Sequence, residues 1–172
     1  FRDHSAGTDL FAIKKQDMKV LVISNYHDTW SAVRPEGELL IGVHHAGIEI
    51  TVMTGGDAPF VRKFEEAGIR VIDFHPTKKF DRSAVEKIRD ELLTGQYDIM
   101  HLFNNKAIIN GLRAAKGLPV KVVTYRGYTG HIHWWDPTSY LTHLNPGVDK
   151  ITCVSEAVRE VFDQQLFFDR SK

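Results

Sequence analysis

A short apolar run, residues 20–23, follows Lys19 and precedes a polar loop and a helical pattern. The run is too short to cross a membrane and rich in β-branched residues, so it predicts a strand buried on both faces, as in parallel sheets. Pro35 suits the first turn of the helix, and Gly47 can end it in a left-handed conformation. A second apolar run, residues 48–53, follows at once. This stretch predicts a strand–helix–strand unit.

The same alternation of apolar runs and helical patterns continues along the chain. It predicts strands at residues 48–54, 69–74, 98–103, 120–125 and 151–154, and helices at residues 59–67, from Asp81 or Ser83 to Gly95, at 105–116 and after Ser155. Strands that alternate with helices imply a parallel sheet with right-handed crossovers. We therefore predict an α/β fold, a doubly wound, Rossmann-like parallel sheet of about six strands with helices on both faces.

Length and composition favour one domain with one core, because 172 residues are too few for two full α/β domains. We assign residues 18–172 to this domain and interpret residues 1–17 as a disordered leader or cloning remnant without signal-peptide character. Basic and acidic residues each number 22, which gives no reason to expect a nucleic-acid partner. The single cysteine, Cys153, excludes an intramolecular disulfide. No segment is apolar enough for a membrane span, which predicts a cytoplasmic location.

Ligands of such sheets bind beyond the carboxyl ends of the strands. That rule selects four segments, which are residues 25–34, 103–106, 126–133 and 155–156. The first segment lacks the Gly-x-Gly-x-x-Gly pattern of a dinucleotide site, and no Walker loop occurs. We therefore expect this domain alone to bind no cofactor. The pair Gly55-Gly56 is interpreted as a turn rather than a phosphate-binding nest.

The most informative loop is the long segment of residues 126–149. Its arginine, histidines, tyrosines and tryptophans are suited to stacking on a sugar ring while hydrogen-bonding hydroxyl groups. The alternative is that Trp134, Trp135 and Tyr140 only pack the loop onto the domain, since large aromatic side chains are mostly buried. Both interpretations stay open on the sequence.

The sequence contains no recognisable signature of a metal site or a catalytic site. His131 and His133, with Asp136 and His143, could ligate a metal, but their spacing matches no specific signature, and we predict no metal site. His101 lies inside a predicted strand and is interpreted as a core histidine. No Ser-His-Asp order, nucleophile elbow or close carboxylate pair is recognisable, so no catalytic residue is assigned.

Several blocks resemble one family. The start Met-Lys-Val-Leu-Val-Ile-Ser, then Arg34-Pro-Glu36, then Leu-Leu-x-x-x-x-His-x-Ala-Gly-Ile-Glu-Ile-Thr-Val-Met-Thr, resembles the N-terminal half of a GT-B glycosyltransferase of the family-4 type. Residues 97–101, 122–127 and 149–158 are similar to that family's later blocks. The resemblance covers residues 18–168, nearly the whole predicted domain.

The resemblance implies two Rossmann-like domains that face each other across a cleft. This chain would be the acceptor-binding domain, and a C-terminal domain, absent from the chain, would bind the nucleotide-sugar donor. The complete enzyme would transfer a sugar to a glycan or glycolipid with retention of configuration, usually without a metal, whereas this fragment alone would be inactive. Many relatives carry His where this sequence has Arg126, so Arg126 could pair with an anionic acceptor or with the donor phosphate. Many also have a Gly-Gly in the first loop, which is missing here.

Twelve residues are candidates for the cleft. The resemblance and the strand-end rule together select Asn25, Arg34, Glu36, Asn104, Asn105, Arg126, Gly127, Tyr128, His131, His133, Ser155 and Glu156. The adjacent Trp134 and Trp135 suggest peripheral contact with the inner face of the membrane. Two alternatives remain: a half-domain of a sugar-nucleotide epimerase, and a stand-alone flavodoxin-like nucleotide or cofactor binding or signalling module. The segment 24–26 offers neither the acids of a receiver nor a flavodoxin phosphate loop, which weighs against the second alternative.

Overall fold

A computed structural model describes residues 18–27 and 33–166 of the chain. Within these residues the chain forms six strands and five α-helices in strict alternation along most of its length. The elements are β1 (Lys19–Ile23), α1 (Val33–His45), β2 (Glu49–Thr54), α2 (Val61–Glu66), β3 (Arg70–Asp73), α3 (Arg82–Gly95), β4 (Ile99–Leu102), α4 (Asn105–Ala115), β5 (Lys121–Arg126), β6 (Lys150–Cys153) and α5 (Glu156–Gln165). Residues 1–17, predicted to be a leader, lie outside the described residues.

The six strands form one parallel sheet in the order β3-β2-β1-β4-β5-β6. Val22 in β1 pairs with Val52 of β2 on one side and with His101 of β4 on the other. The strand order reverses between β1 and β4, which is the topology of a doubly wound, Rossmann-like sheet. The predicted fold class is therefore confirmed.

Each face of the sheet carries its own core because side chains alternate along β1. Leu21 and Ile23 pack with residues of α3 and α4, including Ile108. Val20 and Val22 pack on the opposite face with residues of α1 and α2, including Phe64. The apolar run of the first strand is thus buried on both faces, as the sequence predicts.

The predicted helix starts are realised by side chains that accept hydrogen bonds from the first turn. Asp81 accepts from the N–H of Ala84 at the start of α3. Asn104 and Ser155 cap α4 and α5 in the same way. These caps satisfy donors that a helix leaves unpaired, so each fixes where its helix begins.

The end of α3 differs from the prediction that Gly95 terminates this helix. Gly95 is its last residue, and Gln96 adopts the left-handed conformation, with φ of 52°. A Cβ on Gly95 would lie 2.2 Å from the ring of Tyr97. Gly95 therefore makes room for a buried tyrosine, which is a tertiary requirement that the local sequence does not reveal.

The long segment after β5 folds onto the domain through a third, smaller core. A 3₁₀ helix, Pro137–Leu141, interrupts it. Ile132 and Leu144 of this segment pack against Val158 and Phe162 of α5. Among the residues that the structure describes, no helix has both the length and the apolar character needed to cross a bilayer.

Candidate functional site

A cleft lies at the carboxyl edge of the sheet, next to the reversal of strand order between β1 and β4. In doubly wound sheets this switch point is where ligands bind. The cleft has a volume of about 530 Å³, within the usual range for small-molecule sites. Segments that follow β1, β3, β4 and β5 surround it, and the lining residues are Asn25, His75, Lys79, Phe103, Asn104, Asn105, Lys106, Tyr125, Arg126, Gly127, Tyr128 and His143.

One wall of the cleft is aromatic. The rings of Phe103 and Tyr125 stack with their centroids 5.0 Å apart and their planes at 29°. The ring of His101 lies 4.3 Å from that of Phe103, and its Nε2 lies 3.2 Å from the hydroxyl oxygen of Thr152. Burial lowers the pKa of His101 to about 4. His101 is therefore neutral at pH 7 and hydrogen-bonded beside Phe103, but it does not line the cleft.

Arg126 lies at the end of β5 with only 3% of its surface exposed. Its Nε donates to the carbonyl oxygen of Tyr128 at 2.8 Å, and its Nη2 donates to the carbonyl oxygen of Gly130. The guanidinium also lies 3.6 Å from the centroid of the Tyr128 ring. Burial lowers the pKa of Arg126 below its ordinary value, yet arginine stays charged at neutral pH. Arg126 thus shapes the loop after β5 and leaves a positive charge beside the cleft.

His75 and Asn104 join the loop after β3 to the start of α4. The side-chain oxygen of Asn104 accepts from the N–H of Ala107, so its amide nitrogen donates to Nε2 of His75 at 2.9 Å. Because His75 Nε2 accepts this hydrogen bond, the neutral ring carries its proton on Nδ1. Burial and the neighbouring Lys106 lower the pKa of His75. His75 is therefore a neutral structural link in the cleft.

Asn110 fixes the two segments that carry the lysines of the cleft. It is fully buried on α4. Its amide nitrogen donates to the carbonyl oxygens of Lys78 and Lys106 at 2.8 and 2.9 Å, and its side-chain oxygen accepts from the N–H of Asp81 at 3.0 Å. The loop that holds Lys79 is thereby attached to the first turn of α4.

We expect Asn110→Ala to lower the free energy of unfolding by about 2 kcal/mol, because the partly buried hydrogen bonds to the carbonyl of Lys78 and from the N–H of Asp81 are lost. The carbonyl of Lys106 keeps its helical hydrogen bond, which limits the loss. Urea unfolding measures the effect. The matched control is Asn105→Ala on the exposed side of the same helix. Equal stability of the two variants would show that the Asn110 contacts contribute nothing.

Glu36 lies on α1, and it does not line the cleft. The Tyr26 hydroxyl donates to its carboxyl group, and Tyr26 itself is fully buried against Phe64, with ring centroids 4.9 Å apart. Burial raises the pKa of Glu36 to about 7, although hydrogen bonds from Tyr26 and Ser24 act in the opposite direction. Glu36 is therefore a titrating group whose carboxyl group is held by Tyr26.

The structure brings six of the twelve candidate residues into the cleft: Asn25, Asn104, Asn105, Arg126, Gly127 and Tyr128. The other six do not line it. Arg34 is exposed on α1, Ser155 caps α5, and Glu156 forms an ion pair with Arg159. His131 and His133 are exposed on the long loop.

The lining residues outside the twelve candidates are His75, Lys79, Phe103, Lys106, Tyr125 and His143. Phe103 and Lys106 lie in the selected segment 103–106, and His75 and Lys79 lie in the loop after β3, to which the strand-end rule also applies. His143 lies 19 residues beyond its partner Thr124, whose hydroxyl oxygen is 3.0 Å from its Nδ1. Nothing in the local sequence signals that contact.

The glycine pair after β2 and a histidine of the long loop have structural contacts of their own. The N–H of Gly56 donates to the carboxylate of Asp73 at 2.5 Å, so the Gly55-Gly56 pair forms a turn and its amide is occupied. In the described part of the chain, no three His, Cys, Asp or Glu side chains are grouped as metal ligands would be. His133 instead stacks on Trp135, with ring centroids 4.9 Å apart.

Comparison with known proteins gives one family and one fold. The model of Glycosyltransferase Family 4 matches residues 37–172. No curated protein sequence gives a significant match. A glycosyltransferase from Rickettsia africae has a similar structure, with a TM-score of 0.69 and 16% identity over 90% of this chain and 41% of its own.

Two further solved structures share the fold. Anabaena HepE, solved with UDP and glucose, has a TM-score of 0.63 and 17% identity over 90% of this chain and 42% of its own. A Listeria monocytogenes protein assigned as a UDP-N-acetylglucosamine 2-epimerase has a TM-score of 0.57 and 12% identity over 89% of this chain and 43% of its own. The chain therefore spans about two fifths of the length of these proteins. At such identities the likeness shows the fold, which the transferases share with the epimerase.

Proposed function

The chain belongs to glycosyltransferase family 4, and we propose that it is the N-terminal, acceptor-binding half of a retaining glycosyltransferase. Its acceptor would be a glycan or glycolipid, and a second domain would bind the nucleotide-sugar donor. The observation that carries this proposal is the open cleft at the switch point of a family-4 domain. The chain spans about two fifths of its structural neighbours, which leaves room in them for a second domain.

The lining of the cleft suits recognition of a sugar. The amide side chains of Asn25 and Asn105 can exchange hydrogen bonds with hydroxyl groups. Tyr125 and Tyr128 offer aromatic faces for a sugar ring. Among the described residues, no carboxylate lines the cleft, and its two histidines have lowered pKa values. We infer that this half positions the acceptor hydroxyl, while charges of the donor half stabilise the departing diphosphate.

The proposal is tested by a transfer assay on the complete protein with UDP-sugars and GDP-sugars. The products are analysed both for a glycosylated acceptor and for an epimerised donor. Sugar transfer to a glycan or glycolipid is the expected result. Conversion of the donor to its epimer without transfer would contradict the proposal and favour the epimerase alternative, whose fold is similar.

We expect Asn105→Ala to raise the KM for the acceptor about fivefold in the complete protein, because one neutral hydrogen bond to a hydroxyl group is lost. The KM for the donor should change little, since the donor is proposed to bind in the other half. Gln164→Ala, an exposed amide on α5, is the matched control. A change confined to the donor KM would show that Asn105 faces the nucleotide-sugar instead.

A location at the inner face of the membrane is part of the proposal. Trp134 and Trp135 are 47% and 65% exposed, so they are available for contact with lipid headgroups. We expect the Trp134→Ala, Trp135→Ala double variant of the complete protein to bind lipid vesicles about tenfold more weakly. Leu93→Ala, which removes an exposed apolar side chain from α3, is the control. Unchanged vesicle binding by the double variant would contradict membrane contact at this loop.

A further inference from the structure

We propose that the acceptor carries a phosphate group and that Lys79, Lys106 and Arg126 hold this group in the cleft. The proposal rests on the acceptor-binding role proposed above and specifies its ligand. It assigns the three cations to the acceptor rather than to the donor.

The cleft has a local excess of positive charge. Three cationic side chains line the cleft, and no carboxylate among the described residues lines it with them. The whole chain has a net charge of zero, so this cluster does not follow from a basic composition. Several cations elsewhere have acidic partners, as in the pairs Lys63–Glu38 and Arg70–Glu91. Within residues 18–27 and 33–166, Lys79, Lys106 and Arg126 form no ion pair.

Arg126 is buried with neutral partners. Its guanidinium bonds to the carbonyl oxygens of Tyr128 and Gly130 and stacks on an aromatic ring. Removing a charge from water costs free energy that carbonyl oxygens offset only in part, whereas an anion attracts the charge strongly in a poorly solvated site. An anionic ligand would therefore gain more from Arg126 than a neutral sugar would.

The backbone segments that carry the two lysines are fixed by hydrogen bonds within the chain. Asn110 attaches the Lys78–Asp81 loop to the first turn of α4, which carries Lys106. Asn104 orients the start of the same helix by capping Ala107. The N-terminus of α4 faces the cleft through Asn105 and Lys106, and its partial positive charge favours an anion there.

Three positive charges match a phosphate better than a carboxylate, because a phosphate monoester carries close to two negative charges near neutral pH. A neutral sugar would leave all three charges uncompensated. The phosphate could belong to a phosphorylated sugar or to a lipid headgroup. Both sources present the same group to the cleft, and the experiment separates them.

The experiment is an amide NMR titration of this chain with glucose 6-phosphate, glucose and inorganic phosphate. It is repeated with phosphatidylcholine vesicles with and without phosphatidic acid. We expect saturable shifts at the cleft residues with the phosphate probes and affinity at least about tenfold lower for glucose. If glucose 6-phosphate shifts the signals of the cleft residues at low concentration, the phosphate belongs to a sugar phosphate. If only the vesicles that contain phosphatidic acid shift these signals, the phosphate belongs to a lipid headgroup.

Variants make the assignment specific. Lys79→Gln and Lys106→Gln should each weaken phosphate binding about tenfold, as expected for loss of one charge-assisted contact. Lys78→Gln is the matched control, since it removes an exposed lysine one residue away that does not line the cleft. Equal affinities for glucose and glucose 6-phosphate, or equal losses in the Lys78 and Lys79 variants, would overturn the phosphate proposal.

Failure of this proposal and failure of the proposed function have different signatures. A neutral glycan that binds in the cleft as tightly as a phosphorylated one would overturn the phosphate assignment and leave the acceptor role intact. Tight binding of a nucleotide cofactor by this chain would overturn both. No binding of any phosphate probe at millimolar concentration would overturn the phosphate assignment alone.

Discussion

Replacing Arg126 with methionine is expected to reduce sugar transfer by the complete protein about a hundredfold. Two physical effects combine in this result. The variant loses the buried charge beside the cleft, and the loop of residues 127–130 loses the donor that holds the carbonyl oxygens of Tyr128 and Gly130. A contact to a charged group contributes about 1.5–3 kcal/mol, which corresponds to a factor of about ten to a hundred and fifty in rate.

Arg126→Lys separates charge from geometry. Lysine keeps the positive charge, but it cannot donate to two carbonyl oxygens through a planar fork or stack in the same way on Tyr128. We expect this variant to recover only a small part of the activity. Arg62→Met, which removes an exposed arginine on α2, is the control and should transfer sugar at the native rate. Native activity in Arg126→Met would contradict the role of Arg126 in the cleft.

The second large effect is on the pH dependence of stability, through Glu36. Burial raises its pKa from 4.5 to about 7, so the folded state binds the proton more tightly than the unfolded state. This contribution to stability is fully present below pH 4.5 and is lost as the pH rises through 7. A shift of this size corresponds to about 3 kcal/mol in the free energy of unfolding.

Glu36→Gln isolates this contribution, because glutamine keeps the shape of the protonated side chain and does not titrate. The lowered pKa values of His101 and His143, both about 4, act in the opposite direction, so the native protein alone would not show the Glu36 effect. The quantity to follow is the free energy of unfolding of the native protein minus that of the variant. We expect this difference to increase by about 3 kcal/mol when the pH is lowered from 8 to 4.5.

Urea unfolding at a series of pH values measures this difference. Glu38→Gln on the same helix is the matched control, since the Glu38 carboxylate is exposed and its contact with Lys63 lowers its pKa. The stability difference between the native protein and the Glu38 variant should stay nearly constant between pH 8 and pH 4.5. An equally constant difference for Glu36→Gln would show that Glu36 is not the group that titrates.

Much of the fold could be predicted because its determinants are local. Unbroken apolar runs such as residues 20–23 indicate strands buried on both faces, and Asp81, Asn104 and Ser155 are side chains that cap helices. Gly47, Gly68 and Gly117 follow helices with positive φ, as glycine allows. The end of α3 was not predictable, because it depends on how Tyr97 packs against Gly95.

The cleft could be predicted only in part. The strand-end rule finds Asn25, Asn104 and Arg126, whose backbone positions follow from the sheet. The rule does not predict which side chains make other contacts instead of lining the cleft. Ser155 caps its own helix, and Glu36 accepts a hydrogen bond from Tyr26. Lys79 belongs to the cleft because Asn110 binds the adjacent carbonyl from 32 residues away in sequence. Such long-range contacts leave no pattern in a single sequence.

The most direct test of the acceptor-binding account is an amide NMR titration of this chain with FMN, NAD, UDP-sugars and GDP-sugars in turn. The account predicts no tight binding of any of these nucleotides, and at most weak shifts at residues of the cleft such as Asn25, Asn105 and Tyr128. Tight, saturable binding of FMN or NAD would contradict it and would identify the domain as a cofactor-binding module.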